Sequence, residues 1–74
     1  MKQYIKNYVT HHNIGEQDIL LCKLDGSLAA DIHHIKYKSR GGSDEVDNLI
    51  ALCRSCHNKA HANILTEEFL KTQI

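Results

Sequence analysis

Across residues 2–12, KQYIKNYVTHH, the apolar side chains Tyr4, Ile5, Tyr8 and Val9 recur at spacings that fit one helical face. No proline or glycine intervenes, so a short helix is predicted there. The pattern breaks over residues 13–17 at Gly15. Residues 18–24, DILLCKL, are a compact apolar run suited to a buried strand or to the approach to a metal knuckle, and Asp25-Gly26 then predicts a turn. Residues 27–35, SLAADIHHI, can pair back as a strand whose alternation sends His33 and His34 to opposite faces. The stretch 36–47, KYKSRGGSDEVD, is rich in glycine, serine and charge and reads as an irregular loop, not a linker. Residues 48–52, NLIAL, predict a second short strand. Cys53 opens a tight turn, Ser55 is placed to cap a helix over 56–62, and Asn63 is placed to stop it. Thr66, Glu67 and Glu68 then form an acidic first turn, with Phe69 and Leu70 as a closing apolar contact.

Size changes what these elements must do. A 74-residue chain is one domain near the limit at which a hydrophobic core suffices, so a further staple is expected. One phenylalanine, three tyrosines and no tryptophan leave little aromatic surface for a core, whereas six histidines and three cysteines point to metal. The odd cysteine count, with Cys53 and Cys56 separated by two residues, suits thiolate ligation in a reducing compartment better than disulfides. With no apolar run approaching the roughly 20 residues of a bilayer span, and no signal-peptide core, the expected location is the cytoplasm of a bacterial or phage-infected host cell, with no membrane partner.

Net charge is zero, which argues against strong nucleic-acid binding by charge alone. Locally, Lys36, Lys38, Arg40, Arg54 and Lys59 outnumber Asp44, Glu45 and Asp47 and are the candidate phosphate contacts. Contacts of that kind position a backbone without reading bases, so sequence preference should be low.

The densest chemical signal is Cys53-Arg54-Ser55-Cys56-His57-Asn58-Lys59-Ala60-His61. Two residues between cysteines let a knuckle aim both thiolates at one ion, and histidines four apart on a helix lie within roughly 5–6 Å of each other. A single structural Cys2His2 zinc is the simpler reading. It fits poorly, because such fingers have about 12 residues between the two pairs, whereas Cys56 and His57 are adjacent. Two sites are therefore expected, and the tandem His33-His34 supplies more imidazoles for the second. His11 and His12 lack such company and are read as ordinary structural or solvated histidines.

Asp31-Ile-His-His-Ile35, Gly41-Gly42-Ser43-Asp44, Asp47-Asn48-Leu49-Ile50-Ala51-Leu52-Cys53 and Cys56-His57, in this order and spacing, resemble the HNH, or ββα-metal, endonuclease motif across residues 22–61. The resemblance implies an α+β fold of the small ββα-metal (His-Me finger) type, zinc-stabilised, with a short N-terminal and a short C-terminal helix. It also implies His33 as a metal ligand, His34 as general base, Asn48 as a brace for the loop holding the base, and His57 as a second ligand. His61 resembles the second helix histidine of colicin-type DNases, and Asn58 is a neighbouring alternative ligand. The implied activity is metal-dependent hydrolysis of DNA phosphodiester bonds with low sequence specificity. A neutral imidazole is suited to take a proton from attacking water, while a divalent cation stabilises the charge developing on the phosphate. Imidazole ligands favour zinc, nickel, cobalt or manganese, and magnesium would need water and phosphate oxygens to fill its shell. Asp31 is either an acceptor for a ligand imidazole or a solvated strand residue.

The chain departs from the family where zinc-containing members carry a first CxxC knuckle: here it is Cys22-Lys-Leu-Asp25. A structural zinc would need Cys22, Asp25, Cys53 and Cys56, and carboxylate oxygen is an acceptable if uncommon fourth ligand. Alternatively, Cys22 and Cys53 are small buried apolar residues with no structural metal. Two other functions stay open: a zinc-stabilised nucleic-acid-binding module without catalysis, and a branched-DNA resolvase. DNA is the expected partner, alongside a larger DNA-targeting or packaging protein, with the chain as monomer or homodimer.

Overall fold

A computed structural model of the chain describes residues 2–15 and 18–74. Helix α1 (Gln3–His11) is followed by strands β1 (Asp31–His34) and β2 (Leu49–Leu52), then by helices α2 (Arg54–His61) and α3 (Glu67–Lys71). The strands pair antiparallel, with Asp31 opposite Leu52, Ile32 opposite Ala51, His33 opposite Ile50 and His34 opposite Leu49. This is the α+β arrangement of a two-stranded sheet packed with helices.

All four β2 residues are buried, and side-chain alternation explains why the run is continuously apolar. Leu49 and Ala51 join Tyr8 and Ile32 in a cluster closed by Tyr4 and Ile5 of α1. Ile50 and Leu52 face the other way, into a cluster with Cys22, Ile35, Cys53, Cys56, Ala60 and Leu70. The sheet is thus covered by α1 on one side and by α2 and α3 on the other. Beyond the β1 pairing, the Ala51 N–H donates to the Tyr8 hydroxyl at 3.3 Å and its carbonyl accepts from Lys23 N–H at 2.9 Å.

Several sequence expectations change. Residues 18–24 are not a regular strand: one bridge joins Leu21 to Leu28, and Ile19 and Leu21 are exposed. The run is instead the approach to a tight knuckle. There the Cys22 N–H donates to Ser27 O at 2.7 Å and the Gly26 N–H to Cys22 O at 3.0 Å, with Gly26 at φ +76°. Consequently the strand expected from residue 27 starts only at Asp31, and its partner is β2, which offers apolar side chains on both faces. Helix α2 starts at Arg54, not Cys56, because Cys53 and not Ser55 is its cap: the Cys53 thiol accepts from Cys56 N–H at 3.4 Å. Asn63 ends the helix in the left-handed region at φ 65°. Thr66 caps α3 through Phe69 N–H, at 3.2 Å. Of the expected apolar pair only Leu70 is buried, and Phe69 is largely exposed. The break after α1 has Asn13 at φ 58°, while Glu16 and Gln17 lie outside the described residues. Among the described residues, no helix is long and apolar enough to cross a membrane.

Candidate metal and catalytic site

The strand tandem behaves as its alternation requires. His33 is buried on the α2 side, where its ring lies 5.1 Å from that of His57 and 5.5 Å from that of His61. One helical turn brings His57 Nε2 within 2.9 Å of His61 Nε2. One nitrogen from each of the three imidazoles lies within 4.8 Å of the others, which fits a single cation. Burial, then the neighbouring His57 and His61, push the His33 pKa down to about 4, so at neutral pH its lone pair is free to coordinate. The His57 pKa is lowered by burial and then by the neighbouring His61. Asn58, the alternative on this helix, is exposed.

Tyr37 follows this histidine group into the loop. Its ring stacks on His61 with centroids 5.8 Å apart, and its hydroxyl lies 3.3 Å from His61 Nδ1. Asp31 is exposed and its carboxylate accepts from the adjacent Ile32 N–H at 2.8 Å, which is the ordinary strand reading.

A second group forms where the knuckle meets the start of α2. Cys22, Asp25, Cys53 and Cys56 bring one ligand atom each to within 4.8 Å of one another. All three cysteines are free and buried. The Cys53 and Cys56 thiols point at Asp25 Oδ2, at 3.2 and 3.8 Å. Hydrogen bonds from the Ser27 hydroxyl and N–H, and then from the thiols, hold Asp25 well below the usual carboxylate range. The Cys56 N–H lowers the Cys53 pKa, whereas burial and the neighbouring cysteines push Cys56 up to about 12. Three thiols converging on a carboxylate form a donor set that suits zinc: the ion's charge offsets the cost of ionising buried sulfur.

His34 occupies the other face of β1. Its ring lies 4.5 Å from that of Tyr4, and its Nε2 is 2.8 Å from Asp44 Oδ1. The other Asp44 oxygen accepts from Lys38 Nζ at 3.0 Å. The loop between His34 and Leu49, which carries Asp44 back to the imidazole, contains the 3-10 turns Lys38–Arg40 and Val46–Asn48. Asn48 pins it shut: its Oδ1 accepts from Lys36 N–H at 2.8 Å, while Nδ2 donates to Lys36 O at 3.0 Å and to Ser43 O at 2.8 Å. The glycine pair is steric in origin. Gly41 sits at φ +87°, and a Cβ on Gly42 would collide with the Lys36 carbonyl.

Lys36, Lys38, Arg40, Arg54 and Lys59 are all exposed. Lys38 is already engaged with Asp44, and Arg40 lines a cavity of about 230 Å³ beside His33, Tyr37 and His61. His11 and His12 stay apart from both ligand groups. The sequence assigns no role to Tyr37, which sits between Lys36 and Lys38, or to Asp44, which it places only as the last residue of the motif segment Gly41-Gly42-Ser43-Asp44.

This geometry accompanies a family match. The chain belongs to the HNH endonuclease family, whose model matches residues 20–63. Over 47 residues, 64% of the chain, it is 36% identical to the type IV methyl-directed restriction enzyme EcoKMcrA of Escherichia coli (strain K12). It is also 47% identical over 49 residues, 66% of the chain, to anaredoxin of Nostoc sp. (strain PCC 7120). The matched parts span 17% and 63% of those two relatives.

Proposed function

We propose that the chain is a metal-dependent endonuclease that hydrolyses DNA phosphodiester bonds, with His34 as general base and His33, His57 and His61 as ligands of one divalent cation. The observation that carries this reading is the split of the tandem: three imidazoles converge within 4.8 Å on one face of β1, while the fourth stands on the other face with one nitrogen anchored. When bound, the cation would stabilise negative charge on the phosphate and on the departing 3′ oxygen.

The residues of the chain do the rest. His34 takes a proton from water as the water oxygen bonds to phosphorus and the bond to the 3′ oxygen breaks. Asn48 keeps the loop in place around the base through its hydrogen bonds to Lys36 and Ser43. Lys36, Lys38, Arg40, Arg54 and Lys59 contact phosphates, so cleavage has little base preference. Zinc held by Cys22, Asp25, Cys53 and Cys56 stabilises the fold, and magnesium, manganese, nickel or zinc serves at the histidine site. The restriction-enzyme description of the Escherichia coli relative supports DNA as the substrate. Target selection falls to a larger protein partner, because this chain offers few contacts beyond the phosphates.

The test is nicking of supercoiled plasmid by purified protein, first in EDTA and then with magnesium, manganese, nickel or zinc, comparing wild type with His34→Ala. Metal-dependent nicking that the variant loses, while still folding and binding metal, is the expected result. A His34→Ala protein that cleaves would overturn the base, and no cleavage by wild type with any metal would overturn the nuclease.

A further inference from the structure

We infer that Asp44 is a positioning residue for His34, holding the imidazole in the tautomer that carries its proton on Nε2 and leaves the Nδ1 lone pair to accept a proton from water. The inference rests on His34 being the base, as proposed above. A neutral imidazole has one N–H and one lone pair, and which nitrogen carries which is set by the partner of the other. Here Asp44 Oδ1 lies 2.8 Å from Nε2, and a carboxylate can only accept, so Nε2 must be the donor.

The carboxylate is itself held from several directions. Lys38 Nζ donates to Oδ2 at 3.0 Å, and Asn7 Nδ2 on α1 donates to the Asp44 backbone carbonyl at 3.2 Å. Asn48 grips the preceding carbonyl, that of Ser43, at 2.8 Å, and the Tyr4 ring packs against the imidazole. Hydrogen bonds from His34 and then Lys38 keep the Asp44 carboxyl below its ordinary pKa, so it stays an acceptor at neutral pH. The His34 ring is therefore fixed in both rotation and tautomer before any substrate arrives.

The lysine makes Asp44→Asn diagnostic. In that variant Lys38 can pair only with the amide oxygen, which turns the amide NH2 towards His34. The NH2 then donates to Nε2, forces the proton onto Nδ1 and removes the lone pair that should face water. Shape and size are conserved, so a merely structural role predicts little change.

The experiment combines two readouts on purified protein. Nitrogen-15 NMR of the ring, with His34→Ala to assign the signals, reports the tautomer at mildly alkaline pH. Plasmid nicking with manganese reports kcat and KM. The expected result is Nε2–H in wild type and Nδ1–H in Asp44→Asn. The variant should lose about 10²-fold or more in kcat, within the ~10²–10⁴-fold that general-base catalysis supplies, with KM and manganese affinity unchanged. Adding Lys38→Met frees the amide to rotate, so Asp44→Asn should cost far less on a Lys38→Met background. Wild type with the proton on Nδ1, or Asp44→Asn with wild-type kcat, overturns the inference. If wild type cleaves no DNA, the nuclease reading falls, and the NMR comparison alone still decides whether Asp44 sets the tautomer.

Discussion

Asn48 is the residue whose replacement should separate architecture from chemistry most clearly. It is buried, and its side-chain amide makes three hydrogen bonds to backbone groups of Lys36 and Ser43, at 2.8, 3.0 and 2.8 Å. Each is worth about 1 kcal/mol net, and groups left stranded without water add to the loss, so Asn48→Ala should cost about 3–4 kcal/mol. A domain of this length has a stability of about 4–11 kcal/mol, and the loss is a large share of it. The isosteric Asn48→Asp is more informative still. A carboxylate keeps the acceptor for Lys36 N–H but sets a negative oxygen against the Lys36 and Ser43 carbonyls, so it should be at least as damaging at neutral pH. It should recover partly in acid, where a protonated carboxyl can donate once. Urea unfolding of wild type and both variants, with metal loaded and at matched pH, gives the comparison. A loss below about 1 kcal/mol for Asn48→Asp at neutral pH would refute the claim that these bonds close the loop.

The other predictions test different parts of the same structure. Gly42→Ala puts a methyl group against the Lys36 carbonyl and should cost at least about 1–3 kcal/mol in urea unfolding; a neutral effect would mean that the loop yields freely. Cys56→Ser should lower the bound zinc by one ion per chain and the Tm by about 10 °C or more, while His57→Ala should spare the Tm more; equal zinc content in Cys56→Ser and wild type would exclude the cysteine site. For metal-free protein, His33 is neutral in the fold down to about 4, whereas in the unfolded chain it protonates below about 6.5. Stability should therefore be flat above pH 6.5 and fall as pH drops towards 4, by at most about 3 kcal/mol from this group, with His57 and His12 acting in the same direction. Stability that is unchanged between pH 7 and pH 5 in urea titrations would contradict the burial of a neutral His33.

Much of the chemistry is local and could be read directly. Helical spacing sets His57 beside His61, and strand alternation sends His33 and His34 apart, because both follow from backbone geometry over a few residues. The α1 periodicity and the Asn63 stop belong to the same class, whereas the expectation that Asn48 braces a loop rests on the resemblance to the HNH motif and not on local geometry. Which strand pairs with which was not local. Residues 18–24 and 27–35 look like partners in sequence, yet β1 pairs with β2, because only β2 buries side chains on both faces between α1 and α2. The same packing decides that Cys53 caps α2, that Tyr37 stacks on His61 and that Asp44 returns across ten residues to His34, and it brings together the set Cys22, Asp25, Cys53 and Cys56 that the sequence offered as one of two readings. Residue types and spacings determined which groups the chain could offer a metal and a phosphate. The tertiary structure alone decided that the Asp44 carboxylate meets His34, since hydrogen bonds between distant segments depend on how the loop closes.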